Sequence, residues 1–73
     1  MTYVVEVIRP DQSSAGYLAI ADVGFKRHPD VRRAYYTDKE DADALAADFN
    51  DFYQSKGYAL EAVALRFVIA ANK

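Results

Sequence analysis

The side chains that could perform nucleophilic or acid–base chemistry are few in this chain, and they are scattered along it. There is one histidine, His28, and there is no cysteine. A serine nucleophile needs a base within hydrogen-bond reach, and no such base lies near Ser13, Ser14 or Ser55 in sequence. The three glycines are well separated, so neither a P-loop nor a dinucleotide-binding fingerprint is present. The sequence therefore predicts a protein that is not an enzyme.

Four acidic side chains are predicted to form one flank of a helix, which we call the acidic flank: Glu40, Asp41, Asp48 and Asp51. On a helical wheel they project within about 100° of each other. They run along the helix instead of converging on one point, so we expect no metal ion and no cofactor. Such a row could present carboxylates to the basic groove of another protein, in competition with nucleic acid. The alternative is that these acids only keep the helix soluble.

A second charged group, the basic turn of residues 26–33, has the opposite sign: Lys26, Arg27, His28, Arg32 and Arg33. Basic side chains of this density can bind phosphates without regard to base sequence. Nearby aromatic residues that could stack on bases are Phe25, Tyr35 and Tyr36. The alternatives are that the basic residues pair with the acidic flank or protect an edge strand.

The tripeptide His28-Pro29-Asp30 resembles the signature of J-domain co-chaperones, which lies in a loop and contacts a heat-shock chaperone. Residues 38–53 are also similar to the third J-domain helix, and Tyr3 lies at a similar distance upstream. The resemblance implies an all-helical co-chaperone. However, residues 16–26 stand where J-domains have a lysine-rich helix, and they contain one basic residue and internal glycine. A chance occurrence of the tripeptide is therefore the alternative.

One segment, residues 37–57, has the apolar period of an amphipathic helix. Thr37 and Glu40 predict a capping box at its start, and Gly57 predicts its end. Its apolar side chains fall within an arc of roughly 120°. They are Ala42, Leu45, Ala46, Phe49, Phe52 and Tyr53.

The remaining segments have the composition of strands. We predict strands in residues 2–9, 16–26, 31–36 and 59–71, with Gly24 at a bulge or a close backbone approach. The order β-β-β-α-β predicts an α+β fold in which one helix packs on one face of a four-stranded sheet. A right-handed crossover would place the fourth strand beside the first and parallel to it, in the order 4-1-2-3.

The sheet face opposite the helix is predicted to be apolar. Apolar residues occur on both sides of the first and last strands, although one helix can cover only one face. The residues assigned to the open face are Val4, Ile8, Ala62, Ala64 and Val68. An exposed apolar face of this kind indicates an interface, with another protein or with a second copy as a homodimer. The alternative is that the central strands are simply rich in valine.

Length and composition set the remaining bounds. The chain of 73 residues, 52% of them hydrophobic, predicts one small ordered domain over residues 1–73. The net charge of −2 is divided unevenly, since residues 38–56 carry six acids and two lysines. No basic segment precedes the first apolar run, and no apolar run reaches the length of about 20 residues that spans a bilayer. With no cysteine, these features predict a cytoplasmic protein.

Together these patterns predict a non-enzymatic module that binds another protein. It could be an inhibitor of nucleic-acid machinery of the kind that phages encode, because such inhibitors are small and acidic. The alternatives are a module that binds nucleic acid or another anion through the basic turn, and a J-domain-like co-chaperone.

Overall fold

The computed structural model describes residues 2–67, which form a four-stranded antiparallel sheet with one helix packed on it. The strands are β1 (Tyr3–Ile8), β2 (Ser14–Ile20), β3 (Phe25–His28) and β4 (Glu61–Arg66), and the helix is α1 (Lys39–Lys56). A single 3-10 turn, Val31–Arg33, follows β3. The strands lie in the order β3-β2-β1-β4. The predicted α+β fold and element order are confirmed.

No helix within residues 2–67 combines the length and the apolar character that crossing a bilayer requires.

Strand β4 runs antiparallel to β1, so the predicted parallel pairing is wrong. The reason lies in the connection after β3. That connection returns the chain to the start of β1, where Thr37 pairs with Tyr3. Helix α1 then carries the chain along the sheet to the end where Ile8 lies opposite Glu61, so β4 must run back.

The third strand lies earlier in the chain than predicted. Residues 16–26 do not form one strand, because the turn after β2 reverses the chain and β3 pairs back on β2. Gly24, with φ of 71°, lies in this turn, and its carbonyl accepts a hydrogen bond from the Ala21 N–H at 3.0 Å. The predicted bulge at Gly24 is therefore wrong. The irregularity instead lies between β1 and β2, at Val7 and Ile8.

The segment that was predicted as the third strand fills a gap between β1 and β2. These two strands pair only near the end of β1, from Glu6 to Ile8. Beyond that point, the Tyr35 N–H donates to the Leu18 carbonyl at 2.9 Å, and Tyr3 and Thr37 exchange hydrogen bonds of 2.7 and 3.0 Å. Residues 35–37 thus supply backbone partners that β1 and β2 do not give each other there.

Both ends of α1 are capped. The N-cap is Asp38, whose carboxylate accepts a hydrogen bond from the Asp41 N–H at 2.8 Å, so the predicted cap at Thr37 is wrong by one residue. The predicted end at Gly57 is confirmed, because this residue adopts a φ of 76°. The Tyr58 N–H donates to the Tyr53 carbonyl at 2.9 Å, which completes a Schellman motif.

Helix α1 lies over β1 and β4 and leaves the β2–β3 half of the sheet less covered. The core between helix and sheet consists of Val5, Val7, Leu18, Ala42, Ala46, Tyr53 and Ala62. A helix is about 10 Å wide with its side chains, and strands lie about 4.8 Å apart, so one helix covers only part of four strands. The position of α1 therefore leaves a groove along β3.

Candidate functional site

The groove between β3 and the C-terminal half of α1 is the site with the most distinctive composition. It has a volume of about 210 Å³. Its lining is Leu18, Phe25, Lys26, Arg27, Phe49, Phe52, Tyr53, Tyr58 and Leu60. We call it the aromatic groove, because five of these residues carry aromatic rings.

The rings in the aromatic groove contact one another in edge-to-face or tilted pairs. Phe49 lies 6.2 Å from Phe25 and 5.9 Å from Tyr53, measured between ring centroids. Phe52 lies 6.3 Å from Tyr58, and the Lys56 ammonium lies 5.9 Å from the centre of the Phe52 ring. Aromatic pairs in this geometry add about 0.5–1.5 kcal/mol beyond their buried area, so the walls of the groove are preformed.

Two of these rings remain exposed at the mouth of the groove. Phe52 is 46% exposed and Tyr58 is 54% exposed. A single exposed apolar side chain is ordinary, but adjacent exposed rings beside a groove indicate a contact surface. The groove therefore offers apolar area to a partner.

Arg27 brings positive charge to the aromatic groove. It lies opposite Leu18 in the β2–β3 register, so it projects from the helix-facing side of the sheet. Burial raises the pKa of the Tyr53 hydroxyl, and the positive charge of Arg27 acts in the opposite direction. Arg27 is thus close enough for its charge to act on a ring that closes the groove.

The outer edge of β3 carries backbone groups that point away from β2. Hydrogen-bonded pairs alternate along an antiparallel ladder. The Ala21–Gly24 bond makes Ala19–Lys26 the next bonded pair, so the N–H and C=O of Phe25 and Arg27 point outward. Within residues 2–67 no backbone group pairs with them.

Three of the four residues of the acidic flank are exposed without a described internal partner, and one of them, Asp48, lies beside the rings of the groove. Asp48 lines an apolar recess of about 290 Å³ with Phe49 and Phe52, on the outer side of those rings. Asp51 and Glu40 are exposed, and neither forms an ion pair within the described part of the chain. Asp48 therefore presents a free carboxylate beside an exposed ring.

The fourth acid of the flank, Asp41, has an internal role that the sequence did not indicate. Its carboxylate accepts hydrogen bonds from the Thr37 hydroxyl at 2.7 Å and the Tyr35 hydroxyl at 2.8 Å. These two bonds lower the pKa of Asp41, with the Thr37 hydroxyl contributing most. Asp41 thus holds the segment of residues 35–37 against the first turn of α1.

The basic turn is divided between the two faces of the sheet. Lys26, His28, Arg32 and Arg33 line a cleft of about 690 Å³ with Ala19, Ile20 and Asp30. Alternation along β3 places Lys26 and His28 on the face opposite α1, whereas Arg27 projects toward the aromatic groove. The five residues predicted as one cluster therefore form two sites.

Inside this cleft, two of the basic side chains, those of His28 and Arg32, already form hydrogen bonds with Asp30. Arg32 donates to both carboxylate oxygens of Asp30 at 3.2 Å. The pKa of Asp30 is lowered, and the hydrogen bond from the Arg32 guanidinium is the largest cause. The His28 Nδ1 accepts from the Asp30 N–H at 3.0 Å. Lys26 and Arg33 form no ion pair within residues 2–67, so they are the cations that an anion would meet.

The tripeptide His28-Pro29-Asp30 stands at the end of β3, and two strands precede it. The J-domain resemblance implies helices at those positions, so its implied fold is wrong for this chain. The similarity is limited to the three residues and to the helical character of residues 39–56.

The open face of the sheet differs from its prediction. Val7 lies opposite Ala62 and Val5 opposite Ala64, and residues directly opposite share a face. Ala62 belongs to the core under α1 and Ala64 packs against it, so placing them on the open face is wrong. Val68 lies outside the described residues.

Val63 and Leu65 occupy the open-face positions of β4, beside Val4 and Ile8. Val4 is nonetheless only 1% exposed, whereas Leu65 is 38% exposed. The centroids of the Tyr36 and Phe67 rings lie 5.8 Å apart, and Phe67 follows Leu65 by two positions on this face. On the β1 and β4 strands the open face therefore carries apolar side chains around Glu6, and it is already partly covered.

Sequence reasoning missed the aromatic groove because it counted Phe52 among the buried residues. A signal was present, since Phe52 lies about 80° from Ala42 on a helical wheel, at the margin of the apolar arc. Asp48 follows beyond that margin. A large ring at the border between an apolar and an acidic stripe is the pattern that indicates an exposed contact residue.

No group of three histidine, aspartate or glutamate side chains in the described part of the chain is arranged to hold a metal ion. In comparisons with known proteins, no family model matches the chain, and neither a curated protein nor a solved structure matches it.

Proposed function

We propose that this protein is a non-enzymatic module that binds another protein through the aromatic groove. The observation that carries the proposal is the joint exposure of Phe52 and Tyr58 beside an edge strand with outward backbone groups. Aromatic residues are enriched where partners bind most tightly, since they contribute large area for few rotatable bonds.

The charges around the groove support this proposal. Protein interfaces commonly have an apolar centre and a polar rim that sets orientation. Here the rings are bordered by Asp48 on the helix side and by Lys26 and Arg27 on the strand side. A partner with complementary charges on its two sides would bind in one orientation.

Site-specific photocrosslinking tests the proposal. A benzophenone amino acid replaces Phe52 in one variant and Ala47, an exposed residue on another side of the same helix, in the control. In extracts of the cells that produce the protein, we expect a crosslinked protein from position 52 and none from position 47. Equal crosslinking from both positions, or none from position 52, would contradict the proposal.

A narrower form of the proposal is that the partner belongs to nucleic-acid machinery and that the protein inhibits it. Its support is the row of exposed carboxylates at Glu40, Asp48 and Asp51. A basic groove that binds nucleic acid would attract this row. Competition between the protein and a DNA duplex for the crosslinked partner tests it, and simultaneous binding of both would exclude it.

Binding of an anion or of nucleic acid is the second candidate, and the cleft of about 690 Å³ favours it. Lys26 and Arg33 are the cations that would contact phosphates there. Such binding weakens steeply with salt. Fluorescence anisotropy with a single-stranded oligonucleotide should show salt-dependent binding that Lys26→Glu reduces, and no binding at low salt would exclude this function.

Self-association as a homodimer would use the open face of the sheet. Ile8, Val63 and Leu65 provide apolar area on that face. Analytical ultracentrifugation tests it, since a homodimer should dissociate when Leu65 is replaced by Lys. A monomer at all concentrations would exclude it.

A further inference from the structure

We propose that the ligand of the aromatic groove is an extended peptide segment of the partner protein, with alternating apolar and acidic residues, which adds to β3 as a new edge strand. This inference rests on the proposed function and specifies which part of a partner is recognised. It follows from the backbone of β3, from the side chains on its two sides, and from the state of the opposite edge.

Within residues 2–67, the backbone of β3 has free groups at the spacing that an added strand requires. The outward N–H and C=O groups of Phe25 and Arg27 are spaced by two residues, which is the spacing of the bonded positions on an added antiparallel or parallel strand. Strand addition gives affinity through main-chain hydrogen bonds, and adjacent side-chain sites give specificity. The four residues of β3 span about 13 Å, enough for a short peptide.

The side chains on the two faces of β3 determine which residues an added strand should carry. On the helix side an added strand would meet the rings of Phe25, Phe49 and Phe52, which favour apolar residues. On the opposite side it would meet Lys26 and His28, which favour acidic residues. Because successive residues of a strand point to opposite faces, the complementary peptide alternates between these two classes.

A second copy of this chain is a poor occupant of the same edge. Pairing two β3 strands would bring the Lys26 and Arg27 side chains of each copy next to those of the other. Like charges across a strand pair are destabilising. The charge of β3 therefore favours an acidic segment over a second β3.

The edge of β4 is not an equivalent site, although it is also an edge strand. The Asn50 side chain accepts from the Ala62 N–H at 2.7 Å and donates to the Ala62 carbonyl at 2.9 Å. This amide occupies the outward groups of Ala62, the second residue of β4. The Phe67–Thr2 bond and the β1–β4 register also direct the backbone groups of Ala64 and Arg66 outward, and no backbone group within residues 2–67 pairs with them. The block at Ala62, together with the rings and cations beside β3, favours β3 for strand addition.

Backbone methylation of a synthetic peptide tests strand addition without altering the protein. The probe is a peptide of about eight residues in which Asp alternates with Leu, with N-methyl groups on either the Asp or the Leu amides. A peptide strand directs one alternate set of amides toward β3 and the other away. We expect one methylated peptide to bind the full-length protein like the unmodified peptide and the other at least about tenfold more weakly.

Amide chemical shifts should locate this binding at Phe25 and Arg27. Lys26→Glu should weaken it about tenfold, because Lys26 faces the acidic residues of the peptide, whereas the reversal Arg66→Glu, on β4, should not. Equal affinity of the two methylated peptides, or no binding of the unmodified peptide, would overturn strand addition. Crosslinking from position 52 would still stand in that case, so the proposed function and this inference fail separately.

Discussion

The two edges of the sheet have the same backbone chemistry but opposite surroundings. At β4 a helix side chain, Asn50, satisfies the outward N–H and C=O of Ala62. At β3 the outward groups of Phe25 and Arg27 meet no backbone partner within residues 2–67. Within that range, the β4 edge is closed by the fold at Ala62 alone, whereas the β3 edge is open at both of its outward residues and lies beside exposed rings.

The difference follows from where one helix can lie on four strands. Helix α1 packs over β1 and β4, so Asn50 reaches the β4 edge, whereas β3 is approached by the side chains of Phe49, Phe52 and Tyr53. Unprotected edges carry a risk of aggregation, which charged residues such as Lys reduce. Lys26 and Arg27 fulfil that need, and in our account Lys26 also selects an acidic partner.

The largest expected effect comes from Gly16, which lies against the last residue of β3. Gly16 has φ of +112°, and a Cβ there would lie 3.1 Å from the His28 carbonyl oxygen. Gly16→Ala should lower the free energy of unfolding by about 3 kcal/mol and loosen β3, since strain and steric overlap add. Urea denaturation measures the change.

Gly24→Ala is the matched control for Gly16. Gly24 also has a positive φ, of +71°, but a Cβ there would meet no atom within 4 Å. Only the conformational cost of about 1 kcal/mol should remain. Equal decreases in the free energy of unfolding for the two variants would show that the contact between position 16 and β3 does not affect stability.

The next effect concerns the β4 edge at Ala62. Asn50→Ala removes both hydrogen bonds to Ala62 and leaves partly buried groups unpaired, so unfolding free energy should fall by about 2 kcal/mol. Amide exchange at Ala62 should accelerate. Gln54→Ala, one helical turn later and exposed, is the control and should cost less than about 0.5 kcal/mol. No change in exchange at Ala62 would contradict the protection of this edge by Asn50.

The acid dependence of stability tests the segment that lies between β1 and β2. Hydrogen bonds from Thr37 and Tyr35 lower the pKa of Asp41 in the folded state. A lowered folded pKa stabilises the protein above the unfolded pKa, and this stabilisation is lost as the pH falls through the folded value. Stability should therefore decrease in the acid range below the ordinary aspartate pKa.

Tyr35→Phe provides the comparison for this acid dependence. It removes one donor, so the Asp41 pKa should rise toward its ordinary value, as followed by NMR of the carboxyl group. The matched substitution Tyr58→Phe, far from Asp41 in the chain, should leave that pKa unchanged. An unchanged Asp41 pKa in Tyr35→Phe would show that this hydroxyl does not act on the carboxylate.

The smallest effect on stability is expected at the acidic flank. Asp48→Asn and Asp51→Asn change exposed side chains, so unfolding free energy should shift by less than about 0.5 kcal/mol. If the flank orients a partner at the aromatic groove, crosslinking from position 52 should decrease in the double variant. If the double variant lost stability as well as crosslinking, the role of the acidic flank would be structural.

The sequence predicted those parts of the fold that depend on local patterns. The helix, its end at Gly57 and the α+β class follow from periodicity and capping residues that lie close together in the chain. The faces of β4 could not be predicted, because Ala62 and Ala64 alternate with Val63 and Leu65 and both sets are apolar. The register with β1 decides between them.

The candidate site was less predictable because it depends on where the helix lies. The pairing of Asn50 with Ala62 joins residues twelve positions apart, and no local pattern indicates it. The basic turn was recognised by composition, but alternation along β3 divides it, and the position of β3 itself was predicted incorrectly. Lys26 therefore lines the cleft as well as the aromatic groove, whereas Arg27 lines the aromatic groove and not the cleft.

Amide hydrogen exchange, measured by NMR without and with the alternating Asp–Leu peptide, tests the contrast between the two edges most directly. We predict that the Ala62 amide is protected in the free protein, and that the Phe25 and Arg27 amides exchange quickly until the peptide is added. Protection of Arg27 in the free protein, or peptide-induced protection at β4 instead of β3, would contradict the account.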